Sequence, residues 1–231
     1  MKSFTVIIPV YNEEKLIVKN TYKLIKFLRK ITENFEVIIV NNGSIDKTVE
    51  LGKSLEKKYP KKFKILSIKE KGHVGFAFRK GVENSIYDKI ISLDMDLSIG
   101  LDFVPKCIEL LDDYSIVIGA KKVGKQNRKW FRVFTSNIFI WLTRSVLGID
   151  YDDYSMAAKG YRKKDIQRYL NYIDKESAYV FELIYWVKKE NKKIIQIPTS
   201  CHDTRKSKFN ILNESVYRFK NLINLWLFKR V

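Results

Sequence analysis

The sequence predicts an α/β fold around a mostly parallel sheet, and three observations carry that prediction. Short apolar, β-branched runs alternate with longer segments of helical period, as successive βαβ units require. Polar clusters directly follow several of those runs, at the edge where such sheets bind ligands. The 231 residues, 45% hydrophobic and without repeats or low-complexity tracts, suffice for one large core, so a single domain over 1–231 is expected.

Phe4-Thr5-Val6-Ile7-Ile8-Pro9 reads as a buried opening strand over 4–9, too short and too close to Met1 for a signal-peptide apolar region. A helix over 13–31, a strand over 36–41, a helix over 46–58 and a strand over 63–68 follow. Then come a helix over 75–86, a strand over 89–93, a helix over 102–112 and a strand over 115–119. The last elements are helices over 130–147 and 178–190, a strand over 194–198 and a helix over 213–228. The longest uncharged apolar stretch, Val133 to Thr143, is about half the ~20 residues that span a bilayer, so no transmembrane helix is expected.

A formal charge of +18 attracts polyanions: nucleic acid, anionic headgroups or phosphorylated small molecules. Cys107 and Cys201 stand apart without a CxxC partner, which supports neither a zinc site nor a disulfide framework and fits a reducing, cytoplasmic setting.

Three clusters carry the chemistry: Pro9-Val10-Tyr11-Asn12-Glu13-Glu14, Asn41-Asn42-Gly43-Ser44-Ile45-Asp46 and Leu93-Asp94-Met95-Asp96-Leu97-Ser98. Asp94 ends a predicted strand and Asp96 sits just past it. Two carboxylates so spaced can hold a hard divalent cation, Mg2+ or Mn2+, against diphosphate oxygens and relieve charge on a leaving nucleoside diphosphate. Taken alone, the pair reads equally well as a cap for the helix near Asp102.

As an ordered set the motifs resemble the inverting family 2 glycosyltransferases of the GT-A fold, in particular those that load a sugar onto dolichyl or another polyprenyl phosphate. The first cluster resembles the family's nucleotide-binding opening, the second its V-D-D-G-S-x-D turn and the third its D-A-D-L-S. Gly75-Phe76-Ala77-Phe78-Arg79-Lys80-Gly81 is similar to the G-x-A-x-R-x-G of the dolichyl-phosphate glucosyltransferase branch. Asp153 with Lys159, Val180-Phe181-Glu182-Leu183 and Ser207-Lys208 resemble later motifs of that branch.

The resemblance implies a three-layer GT-A fold with a nucleotide-binding half over about 1–125 and an acceptor-binding half over about 126–231. It implies donor contacts from Pro9, Tyr11, Glu13, Asn41, Asn42, Ser44, Arg79, Asp94, Met95 and Asp96, with Asp94 and Asp96 holding the metal. Lys121, Arg132 and Ser136 would bind the acceptor phosphate, Arg132 counting with the two aspartates as catalytic. Lys159, Arg205, Ser207 and Lys208 would close over the donor phosphates. Asn41 and Asn42 replace the family's acid pair, which leaves uracil and guanine open; the other details lean toward a UDP-sugar, with GDP-mannose behind.

A phosphomonoester, with a second pKa of about 6, is already an anionic nucleophile at neutral pH, so it needs cations around it rather than a general base. The alternative, transfer to a carbohydrate hydroxyl in polysaccharide or glycolipid assembly, needs a carboxylate base, for which Asp152, Asp153 and Glu182 are candidates. A nucleic-acid-binding module would need a clustered charge or a recognised motif; neither is present, and no specific nucleic acid is expected.

On the 130–147 helix, Trp130, Phe131, Phe134, Ile138, Trp141 and Leu142 recur at helical spacing beside Arg128, Lys129, Arg132 and Arg144. The 213–228 helix pairs Val216, Phe219, Ile223 and Trp226 with Arg218, Lys220, Lys229 and Arg230. Such helices lie in an anionic headgroup region or pack in a core, and periodicity does not separate the two. The expectation is a peripheral protein on the cytoplasmic membrane face.

Overall fold

The computed structural model describes residues 2–68, 73–121, 130–152, 154, 157–200 and 211–228, and among these the side chains of all but 121, 130–137 and 211–214. The strands are β1 (Phe4–Val10), β2 (Phe35–Asn42), β3 (Phe63–Ile68), β4 (Lys89–Ser92), β5 (Ile116–Lys121), β6 (Lys159–Arg162) and β7 (Ile194–Thr199). The helices are α1 (Ile17–Leu28), α2 (Thr48–Lys58), α3 (Val74–Glu83), α4 (Phe103–Leu110), α5 (Trp130–Leu147), α6 (Lys163–Ile166), α7 (Tyr179–Lys189) and α8 (Ile211–Leu227), with a 3-10 turn at Gln167–Tyr169.

The seven strands form one sheet in the order β3-β2-β1-β4-β6-β5-β7. All neighbours are parallel except β6, which runs antiparallel to both β4 and β5. β2 is buried at every position, as expected of a strand covered on both faces, whose sequence reads as a continuous apolar run.

Alternate residues feed two cores. Ile7, Ile38, Val40, Ile90, Ile118 and Tyr161 face one layer, packed by α3, α5, α7 and α8. Phe4, Val6, Ile8, Val37, Ile91 and Val117 face the other, packed chiefly by α1 and α4. The helix–sheet–helix sandwich is therefore the three-layer arrangement expected from the sequence.

Three boundaries differ from expectation in ways that matter. Residues 13–16 precede α1 rather than belonging to it, the Glu13 and Glu14 N–H groups bonding instead to Thr48 and Asp46. β4 ends at Ser92, so Asp94 stands on a turn beyond the strand. β6 was not expected at all, since Lys-Gly-Tyr-Arg has no apolar run; β4 and β5 hold it from both sides.

The glycines of Gly75 to Gly81 turn out to be packing residues. A Cβ on Gly75 would meet the Asp174 carbonyl oxygen at 2.3 Å, and one on Gly81 would meet Ile7 Cγ2 at 2.6 Å. Their absence of side chain lets α3 lie against β1 and the loop before α7.

α5 and α8 pack on each other, and between them they carry both core-facing and exposed apolar side chains. Phe139, Leu222 and Leu225 face the core, while Trp141, Val216, Phe219, Trp226 and Phe228 are exposed. Among the described residues no helix is long and apolar enough to cross a membrane.

Candidate active site

Because β2, β1 and β4 are neighbours, the three polar clusters that follow them come side by side at one edge of the sheet. β6 brings its first residue to the same edge: Lys159 pairs with Ser92 on one side and Ile118 on the other.

The first two loops are built as one unit. Asn12 takes a left-handed backbone, φ 52°, a conformation asparagine tolerates better than most residues. Its N–H donates to Ser44 Oγ at 2.9 Å and its Oδ1 accepts from the Ile45 N–H at 3.0 Å. The Glu13 N–H donates to Thr48 Oγ1 (2.8 Å) and the Glu14 N–H to Asp46 Oδ2 (3.1 Å), while the Lys47 N–H returns to Glu14 Oε2 (3.1 Å). Asp46 also accepts from the Thr48 N–H and hydroxyl. Burial works to raise the Asp46 carboxyl, but the Thr48 and Glu14 bonds outweigh it and hold the group below the usual aspartate value.

Asn41 Oδ1 accepts from the Ser44 N–H and Asn42 Oδ1 from the His73 N–H, each at 3.0 Å. Both asparagines are buried. Asn41, Asn42 and Ser44, expected among the donor contacts, thus also hold the loops together, Ser44 through its bond to Asn12.

The acid pair stands on a tight turn. The Leu97 N–H donates to the Asp94 carbonyl at 3.1 Å, the Ser98 N–H donates to Asp96 Oδ1 at 2.9 Å, and Leu97 has φ 50°. Asp94 is exposed and Asp96 half-buried. Asp96 therefore caps its own turn, not the helix near Asp102. Met95, expected among the donor contacts, turns its side chain into the core at 2% exposure, and its carbonyl accepts from Asn20 Nδ2 at 2.9 Å.

Tyr179 lies behind the acids at the start of α7, stacked on Phe78 with ring centroids 4.9 Å apart. Burial pushes its hydroxyl up, the nearby Asp94 carboxylate adds to this, and Ser92 and Arg218 work the other way. Arg218, expected to flank a lipid-facing stripe, turns its Nε to Ser177 Oγ at 3.3 Å.

Two expected phosphate or donor ligands are engaged within the protein. Lys159, expected over the donor phosphates, is fully buried where β6 meets β4 and β5. Arg79 points along α3 to Glu83 at 2.8 Å, an i,i+4 ion pair that draws it away from the site edge. Glu182 is fully buried and accepts from the Asp174 N–H, and Asp152 accepts from Gln196 Nε2. Neither is poised as a base.

Pro9, Tyr11 and Glu13 stand half-buried at the edge. Lys121 ends β5, with its Cα opposite Thr199, and Arg132 and Ser136 lie on α5; their side chains fall outside the described residues. Arg205, Ser207, Lys208 and Asp153 also lie outside the described residues. Asn20 and Tyr179 were missed. Asn20 had a signal, a polar residue beside the apolar stripe Ile17, Leu24, Ile25 and Leu28; Tyr179 had none.

Among the described residues no group of three or more His, Cys, Asp or Glu could hold a metal. Two carboxylates on one turn suit instead a hard cation that shares its coordination with water and a diphosphate, as Mg2+ commonly does. The residues fit such an ion.

A family model described as Glycosyl transferase family 2 matches residues 5–170, a stretch containing all three clusters and the sheet from β1 to β6. The chain belongs to glycosyl transferase family 2. The undecaprenyl-phosphate 4-deoxy-4-formamido-L-arabinose transferase of Serratia proteamaculans (strain 568) is 26% identical to this family 2 chain over 172 residues, 74% of this chain and 52% of that protein. The transferase of the same name from Pectobacterium atrosepticum is 26% identical over 163 residues, 71% of this chain and 50% of that one. The chain spans about half the length of the curated relatives it matches.

Glucosyl-3-phosphoglycerate synthase from Mycobacterium tuberculosis, in complex with phosphoglyceric acid, superposes with a TM-score of 0.69 at 15% identity over 99% of this chain and 81% of that one. Its complex with Mn2+ and UDP-glucose gives 0.69 at 13% identity over 96% and 78%. At such identity the likeness establishes the fold, GT-A, which the family 2 chain shares.

Proposed function

We propose that this chain transfers a sugar, with inversion, from a nucleotide sugar to the phosphate of a polyprenyl phosphate, working at an anionic membrane surface. The observation that carries the reading is the convergence of the three strand-end clusters on one edge, with an exposed and a half-buried carboxylate on a single turn. The names of the curated relatives, undecaprenyl-phosphate sugar transferases, support the acceptor class.

The acceptor phosphate oxygen forms a bond to the anomeric carbon as the bond from that carbon to the donor diphosphate breaks, and the nucleoside diphosphate leaves with the electron pair. A divalent cation, Mg2+ or Mn2+, held by Asp94 and Asp96 supplies charge neutralisation at the leaving diphosphate. The loop from Pro9 to Glu13 and the adjoining turn at Asn41 to Ser44 line the nucleoside, with a UDP-sugar favoured over GDP-mannose. No proton must be removed from a phosphate dianion, which agrees with the engaged state of Glu182 and Asp152. Lys121, Arg132 and Ser136 take the acceptor phosphate in this scheme, and Arg205, Ser207 and Lys208 the donor phosphates.

The outer faces of α5 and α8 supply the membrane contact. Trp141 is 62% exposed, Val216 69% and Trp226 57%, on helices next to one another. Apolar side chains at such exposure, on a chain of charge +18, match a headgroup region rich in anionic lipid, where each nearby cation adds about 1 kcal/mol.

Purified protein given Mg2+, a short polyprenyl phosphate and radiolabelled UDP- and GDP-sugars is expected to move label from one donor into the organic phase. Asp96→Ala is expected to abolish that transfer without loss of the fold. No label from any donor, with donor binding intact, would redirect the assignment to a hydroxyl acceptor.

A further inference from the structure

We propose that Asn20 is a positioning residue for the acid pair: from α1 it fixes the turn that carries Asp94 and Asp96, and so sets the affinity of that turn for a divalent cation bound together with a nucleoside diphosphate. The inference rests on the donor reading given above.

Asn20 sits on the buried face of α1, between Ile17 and Leu24, where an amide loses its water and must find a partner in the protein. Its Nδ2 donates to the Met95 carbonyl at 2.9 Å, a buried bond between residues far apart in the chain. Met95 is the middle residue between the two aspartates, and its side chain is sunk in the same core layer as Ile17 and Leu24. The turn is thus anchored at its centre by a hydrogen bond and a buried side chain, leaving the flanking carboxylates at the surface.

The turn needs an anchor. Leu97, next to Asp96, holds a left-handed backbone at φ 50°, which a branched side chain adopts only where surrounding contacts impose it. The Leu97 N–H to Asp94 and Ser98 N–H to Asp96 bonds close the turn on itself, but neither ties it to the rest of the molecule. Asn20 does so, and from the helix that follows the loop lining the proposed nucleoside pocket. α1 therefore spans the distance between the part of the site that would take the base and the part that would take the diphosphate.

Partners that orient metal ligands from outside the coordination sphere typically change metal affinity by about 10- to 100-fold when removed. The test compares wild type, Asn20→Leu, Asn20→Asp and Asn20→Gln. Leucine keeps the apolar stripe and loses the donor; aspartate keeps the shape and loses the donor; glutamine keeps the donor. Mn2+ binding is read from the loss of the free-ion electron paramagnetic resonance signal with UDP or GDP present, and nucleotide binding is read separately in EDTA.

Asn20→Leu and Asn20→Asp are expected to weaken Mn2+ binding by about 10- to 100-fold while metal-free nucleotide binding stays within about twofold. Amide exchange at Leu97 and Ser98 should accelerate in both, and Asn20→Gln should recover part of the loss. A folded Asn20→Leu or Asn20→Asp protein that binds Mn2+ as wild type does overturns the role of Asn20 and leaves the donor reading standing. Wild-type protein that binds no Mn2+ with either nucleotide overturns both.

Discussion

Asp46 joins the loops after β1 and β2 by accepting from the Glu14 and Thr48 N–H groups at once. Its depressed carboxyl contributes stability that is complete above the ordinary aspartate value of 3.8 and is lost as the pH falls through the lower folded value. The difference in urea midpoint between wild type and Asp46→Asn is therefore expected to be constant from neutral pH down to about pH 5 and to shrink below it. A difference that persists unchanged into acid would mean the carboxylate charge plays no part. At this scale the sequence was legible for placement, as with Asp94 and Asp96, which stand just past β4 beside the loops after β1 and β2. A residue type does not give its partners: Arg79 has Glu83 one turn on, and Lys159 is fully buried in β6. Asn20 is a further case, since a lone asparagine on an apolar face does not name its partner in a distant turn.

Helices and strands with their own period were readable because burial repeats along them. α5 has the bounds its pattern predicts, and β1 and β2 are apolar runs because both of their faces are covered. β6 was hidden because its strand character comes from its neighbours: Tyr161 fills the core, Gly160 yields to Cys107 on α4, and Lys159 and Arg162 read as surface. α8 carries a prediction at this scale. Phe219 and Trp226 are exposed while Leu222 and Leu225 are buried, so the two faces can be tested separately. Phe219→Ser with Trp226→Ser is expected to cut binding to phosphatidylglycerol vesicles by about tenfold or more with little change in the thermal midpoint, because the pair loses apolar burial only in the lipid-bound state. Unchanged vesicle binding would remove α8 from the membrane contact.

On the scale of the whole molecule, one sheet brings together loops that are remote in sequence, and its strand order makes that possible. The clusters after β1, β2 and β4 were legible as a set, but their adjacency depended on β4 lying beside β1, which no local pattern specifies. The reversed strand has a further effect, on the time course of folding. β1, β2 and β3 can assemble from near neighbours, but β4 joins β1, and β6 joins β4, only across long stretches of chain: Thr5 must find Ile90, and Arg162 must find Lys89. Closing so large a loop is slow relative to local pairing. In pulse-labelling during refolding, the Gly160 and Tyr161 amides are accordingly expected to gain protection after those of β1 and β2, and simultaneous protection would contradict that order. The seam between β4 and β6 is also where Lys159 meets Ser92, so in a newly made chain the end of the sheet that carries the strand-end clusters is complete only after distant segments have paired.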